Sequence, residues 1–223
     1  MSLSKFSELF ADLDSSNSTN KKIEVLKNYF ISNKPLDSSW AIYLLTGKSN
    51  RRFVSGRYLK NLFSQVYEYP QWLIDTCYLK VGDSAEVITL LLKNKNNSKN
   101  NKLSNISLNE LLSKKIPELS KLNEEKKNLE IKYIWESLPE DNHLIFNKIL
   151  TGTFRVGVSI GLITKSISKL INMDEEIISH RLMGDFKPSI DSYNFLINKN
   201  INCKELNSKP FPFLLANTFE EKI

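Results

Sequence analysis

Apolar residues recur at helical spacing along most of the chain. Leu3, Phe6, Leu9, Phe10 and Leu13 fall on one stripe of a first helix. Thr19 can cap a helix carrying Ile23, Leu26 and Phe30, and Asp37 one carrying Trp40, Ala41, Leu44 and Leu45. Ser55 opens a helix with Leu59, Leu62 and Phe63; Pro70, Pro117 and Pro139 suit helix starts. Asp83-Ser84-Ala85-Glu86 and Ser107-Leu108-Asn109-Glu110 read as capping boxes, each ahead of an apolar run. Ser159 precedes Leu162, Ile163, Ile167 and Leu170, and Asn172 can cap a helix through Ile177, Ile178 and Leu182. No strand–turn–strand pattern interrupts this. The pattern predicts one all-α domain of about ten to twelve helices.

One segment departs from the pattern. In residues 93–105 ten of thirteen positions are Lys or Asn, with no acid. So little apolar surface does not offset the entropy of ordering, which predicts a mobile loop. Compositional drift accounts for it, with a phosphate-binding loop as the minority reading.

A duplication organises the rest. Leu44-Leu45-Thr46-Gly47 recurs 105 positions later as Ile149-Leu150-Thr151-Gly152. A basic turn follows each copy: Arg51-Arg52-Phe53-Val54, then Phe154-Arg155-Val156-Gly157-Val158. A serine then begins a helix in each, Ser55 and Ser159, and Gly82-Asp83 is echoed by Gly184-Asp185. Two halves, about 1–105 and 106–209, related by a pseudo-twofold axis, are expected.

Composition narrows the function. The 223 residues carry 31 Lys and Arg against 25 Asp and Glu, net +6, which permits an anionic partner without proving one. Two cysteines and two histidines, none at metal-ligand spacing, exclude a zinc framework; a single Cys77–Cys203 bridge stays open. No run approaches the ~18 apolar residues of a membrane span, and the early Glu8, Asp12 and Asp14 argue against a secretory signal. Asp141 and His143 lie two apart, a spacing at which helical side chains do not meet, so a free-standing acid–base catalyst is rejected.

The positive charge is not evenly spread. Between Asp37 and Glu68 there is no acid, but there are Lys48, Arg51, Arg52, Arg57 and Lys60. Between Asp141 and Asp174 there is again none, but there are Lys148, Arg155, Lys165 and Lys169. Both windows centre on the repeated Thr-Gly turn. Helix starts expose unpaired N–H groups and a positive dipole end, which suits phosphate. Gly47, Gly56, Gly152 and Gly157 allow close backbone approach, and Ser55, Thr151, Thr153 and Ser159 add hydroxyls. Such contacts hold a duplex without reading its sequence. The competing reading is a helical scaffold for a protein partner. Its candidate anchors, Trp72 and Trp135, are expected in the core from their apolar neighbours.

The strings W-A-I-Y-L-L-T-G, Y-L-K-V-G-D-S-A-E, K-I-L-T-G-T-F-R-V-G-V-S and R-L-M-G-D-F-K-P occur in this order. Together they resemble the N-terminal DNA-binding domain of bacterial multidomain ATP-dependent DNA ligases, over roughly residues 4 to 217. P-F-P-F-L-L-A resembles the linker into the nucleotidyltransferase domain, so 1–217 is expected to be the DNA-binding domain and 210–223 the start of that linker. The resemblance implies an all-helical, pseudo-twofold, monomeric domain lying along the minor groove of nicked duplex DNA. The nucleotidyltransferase and OB-fold domains of the parent would be its partners, the cytoplasm and nucleoid its location, and nick sealing in replication, repair or recombination its setting. It implies contacts at Thr151, Gly152, Thr153, Arg155, Gly157 and Ser159, and at Arg51, Arg52, Ser55, Gly56 and Arg57. Asp83 is a weaker candidate, since its carboxylate repels phosphate unless it is engaged as a cap. The adenylating K-x-D-G signature is absent; Lys80-Val81-Gly82-Asp83 has the order wrong. Catalytic residues are therefore expected elsewhere in a longer parent, together with its ATP and magnesium. The chain alone is expected to bind DNA and seal nothing.

Overall fold

A computed structural model describes residues 2–47, 52–94, 102–154, 156–183 and 186–200. Among these the fold is all-α and no strand occurs. The helices are α1 (Ser2–Asp14), α2 (Thr19–Ser32), α3 (Pro35–Leu45), α4 (Gly56–Tyr67), α5 (Gln71–Val81) and α6 (Ser84–Lys93). After them come α7 (Leu108–Glu110), a π-helical turn (Leu111–Lys115) and α8 (Ile116–Lys121), which form one continuous helix. The remainder are α9 (Glu124–Ser137), a 3₁₀ turn (Glu140–Asn142), α10 (His143–Thr151), α11 (Ile160–Ile171), α12 (Glu175–Leu182) and α13 (Ile190–Ile197).

Caps set most of these boundaries. Ser55, Ser107 and Ser159 each accept an N–H three residues on, at 3.1, 2.9 and 3.3 Å. Asp83 caps α6 through Oδ1, 2.8 Å from Ala85 N and 3.1 Å from Glu86 N. Four expectations shift. The cap of α2 is Ser18, one residue before Thr19. Asp37 lies inside the first turn of α3, buried, and accepts the Asn109 N–H of α7 at 3.2 Å. Asn172 ends α11 in the left-handed region at φ 52°, a conformation Asn tolerates, and Asp174 precedes α12 instead. Pro117 sits just past the π turn rather than at a free start. The wider turn makes room for a residue that has no N–H to donate.

The apolar stripes converge on a continuous core. All five stripe residues of α1 are buried, as are Trp135, Phe63 and Phe146. Phe63 and Tyr67 of α4 pack on the Trp135 ring at 6.1 and 6.2 Å between centroids. A buried hydrogen-bond chain ties α9, α10 and α6: Trp135 Nε1 to Asn147 at 2.8 Å, then Asn147 Nδ2 to Thr89 at 3.1 Å. Every buried polar atom so satisfied spares the fold an uncompensated desolvation cost. Helix α6 packs on α10, α3 on α13 and α2 on α11. Trp72 does not join this core: it is 68% exposed on α5. Its neighbours in sequence are apolar, but their stripe and its own face different sides of the helix.

At the Lys/Asn-rich segment, Lys93 closes α6 and pairs with Glu140 at 3.5 Å. Leu103 packs against the core and donates its N–H to Ser137 O at 3.0 Å. Residues 95–101 lie outside the described residues, as do Gly184-Asp185, Cys203 and the 210–223 segment.

Candidate nucleic-acid interface

The corner between α3 and α4 is held by the other half of the chain. The N–H groups of Phe53 and Val54 both donate to Leu150 O of α10, each at 3.0 Å. Val54 is buried there, whereas Arg52 and Ser55 on either side remain exposed. This bond pair brings the start of α4 beside the end of α10. Helix α10 stops because Gly152 adopts φ 70° and returns its N–H to Lys148 O at 2.8 Å.

The result is a shared cavity of about 380 Å³. Its wall carries Arg52, Ser55, Gly56, Arg57 and Lys60 from the first corner and α4, and Thr151 and Thr153 from the end of α10. Tyr78, Gly82, Asp83 and Ser84, around the start of α6, complete it. Two helix N-termini therefore open onto one space. They abut closely: a Cβ placed on Gly56 would lie 2.5 Å from Ser84 Oγ.

The two helix starts differ in charge. α4 is capped by a neutral hydroxyl, which satisfies the Tyr58 N–H and leaves the dipole uncompensated. α6 is capped by a carboxylate. Asp83 does not stand alone, however: its Oδ2 lies 3.2 Å from the buried Lys148 Nζ, which also reaches Glu86 Oε1 at 2.9 Å. Among the described residues it is the one acid on the cavity wall, and it is engaged both as a cap and as an ion pair. Lys60 crosses to Asp75 at 2.7 Å and lies 4.3 Å from the Tyr78 ring centroid. Hydrogen bonds from Lys60 and Gln71 hold the exposed Asp75 carboxyl below the usual carboxylate range. Thr151 is buried and spends its hydroxyl on Asn147 O at 3.0 Å; it accepts or donates with Thr153 Oγ1 at 2.9 Å.

The second basic turn divides. Thr151 and Thr153 face the start of α4, while Gly157 and Ser159 lie on the side of α2 and α11. There Lys22 of α2, almost fully buried, donates to Val156 O at 2.7 Å and Gly157 O at 3.2 Å. Gly157 holds φ 60°, and an added Cβ would lie 2.9 Å from Lys22 Nζ. Phe154 anchors the turn against Phe6 and Phe10, centroids 6.4 and 6.2 Å away. Gly152 is half-buried and off the cavity wall. Arg51 and Arg155 lie outside the described residues.

Sequence reasoning placed Lys148 in the second acid-free window, yet in the fold it is 3% exposed and ion-paired. It placed Lys60 in the first acid-free window but missed Tyr78 and Ser84 on the cavity wall, and Lys22 beneath the second turn. The Gly82-Asp83 echo marked the start of α6 as special, but no local pattern reports the long-range pairing of Lys22. Asp141 is exposed, and His143 is buried with Nε2 2.8 Å from Trp135 O. No group of three or more His, Cys, Asp or Glu among the described residues is placed to hold a metal ion. No helix among them is long and apolar enough to cross a membrane.

A protein-family model described as DNA ligase N terminus matches residues 2–168. No curated protein matches the chain.

Proposed function

The chain belongs to the DNA ligase N-terminal domain family, and from that premise we propose that it binds nicked duplex DNA through the phosphate backbone without reading sequence. One observation carries the reading. The neutral-capped start of α4, Arg52, Arg57 and Thr153 meet around one cavity whose single acid among the described residues is already paired. A backbone phosphate there would accept the leading N–H groups of α4 while the guanidiniums neutralise it. Ser159 and Gly157, at the start of α11, would serve the second strand, joined by Arg155, as Arg51 would join Arg52 on the first. Strand sealing belongs to the parent enzyme, whose ATP and magnesium chemistry would reside in a separate adenylating domain; no step of the binding role runs through either.

The duplication is part of the same proposal. Helices α2 and α9 each run 14 residues, and α4 and α11 each run 12. Gly47 and Gly152 both follow a helix at positive φ, 71° and 70°. Contacts also come in reciprocal pairs: α6 with α10 and α13 with α3, α11 with α2 and α4 with α9. A pseudo-twofold body of this kind matches the antiparallel strands of a duplex. A monomer, working with the nucleotidyltransferase and OB-fold domains of its own parent in the cytoplasm, completes the reading.

Titration of fluorescent nicked duplex against the chain at several salt concentrations tests it. With ~6 phosphates neutralised, log affinity should fall with log salt at a slope of about −5. Arg52→Glu and Arg57→Glu should weaken binding equally on unrelated sequences. Affinity indifferent to salt would overturn the reading. A second reading, a scaffold for a protein partner, is favoured by Trp72 and Leu79, 68% and 82% exposed on α5. It predicts no shift of nicked duplex in a gel.

A further inference from the structure

Lys148 links the two walls of the cavity. It stands one turn before the end of α10, and its carbonyl accepts the N–H groups of Gly152 and Thr153 at 2.8 and 3.2 Å. Its side chain runs the other way, under the start of α6, to Asp83 and Glu86. The ammonium also lies 5.6 Å from the centroid of the Phe10 ring. One residue thus closes the C-terminus of α10 with its backbone and the cap of α6 with its charge.

The charge arrangement explains why this matters. Asp83 shares the cavity wall with Arg52 and Arg57. A carboxylate and a phosphate oxygen compete for the same guanidinium donors. An acid on that wall is tolerable only while another cation occupies it. The buried ammonium meets this need while shared between Asp83 and Glu86.

We propose that Lys148 is a positioning residue for phosphate binding: it holds Asp83 in its capping role and keeps that carboxylate off Arg52 and Arg57. This rests on the reading of the cavity as a backbone-phosphate site.

Nicked-duplex affinity at one fixed salt concentration, with thermal unfolding in parallel, tests it in the wild-type chain, Lys148→Met, Asp83→Asn and the double variant. Lys148→Met should weaken binding by up to about fivefold, the upper end for a partly exposed carboxylate competing for a guanidinium. Asn caps helices about as well as Asp, so Asp83→Asn should leave α6 capped and tighten binding by roughly two- to fivefold. Asp83→Asn should also recover most of the affinity lost in Lys148→Met. A purely structural role predicts otherwise: both single variants weaken binding, the losses add, and the unfolding midpoint follows them. That outcome overturns the proposal. If Lys148→Met does not fold, Asp83→Asn decides alone, and binding no tighter than wild type overturns the proposal. A wild-type chain that fails to bind nicked duplex takes the cavity reading down as well. A wild-type chain that binds, is weakened by Arg57→Glu and is indifferent to Asp83→Asn sinks only the role of Lys148.

Discussion

Gly56 shows how much one missing atom decides. Its φ is unremarkable, so no backbone strain calls for glycine; the constraint is Ser84, whose Oγ lies 2.5 Å and Cβ 3.0 Å from where a Cβ would be. Gly56→Ala should therefore push the starts of α4 and α6 apart. A loss of about 1–3 kcal/mol is expected, the usual range for overpacking, measured by urea unfolding. Ser84→Gly in the same chain should return part of it, because it removes the atoms in collision. Equal stability of the single variant and wild type would show that the two helix starts are looser than described. Arg52 and Arg57 are different in kind. Both are exposed, so their substitution should move DNA affinity and leave unfolding nearly unchanged.

Among the elements, α9 and α10 carry the clearest pH dependence. His143, at the first position of α10, is buried, and its imidazole takes part in a 2.8 Å hydrogen bond with Trp135 O of α9. Burial disfavours the charged ring and lowers its pKa below the ordinary 6.5, more than the Trp135 carbonyl and nearby Glu140 raise it. The unfolded chain then binds more protons than the folded one just below pH 6.5. The stability is fully present above that pH and is lost as pH falls toward the folded value. The unfolding midpoint should drop between about pH 7 and 5, and His143→Gln should flatten that dependence. A midpoint that rises on acidification would contradict the assignment. The helix starts follow a similar local logic: Ser55 and Ser159 cap α4 and α11 as their sequence context predicts. Asp37 was a reasonable cap on the same grounds. It was diverted because a donor 72 positions away, the Asn109 N–H, reaches it.

For the whole molecule, the decisive arrangement is the joining of segments far apart in sequence. The Phe53 and Val54 bonds to Leu150 put the first basic corner against the end of α10. The two starts α4 and α11 are built alike, each with an exposed serine cap. A ligand with two antiparallel rails should use both, so duplex should bind more tightly than a single strand of equal length. Competition between the two in one titration checks this, and equal affinity would remove the case for two-strand engagement. Trp72 is exposed on α5 and is not on the cavity wall.

The all-α class, the helix stripes, the serine caps and the repeated Thr-Gly turn were legible in the chain itself. Each is set by neighbours within a few positions, through helical period, capping hydroxyls and glycine's access to positive φ. The grouping of the site was not. Thr151 and Thr153 were read with Ser159, yet they face Ser55 and Arg57. Lys148 was read within an acid-free window, yet it pairs with Asp83 and Glu86. Lys22 carried no signal at all. These are choices among distant partners, made by core packing and by the cost of leaving a buried ammonium or carboxylate unpaired, and only the folded chain brings those groups within reach of one another.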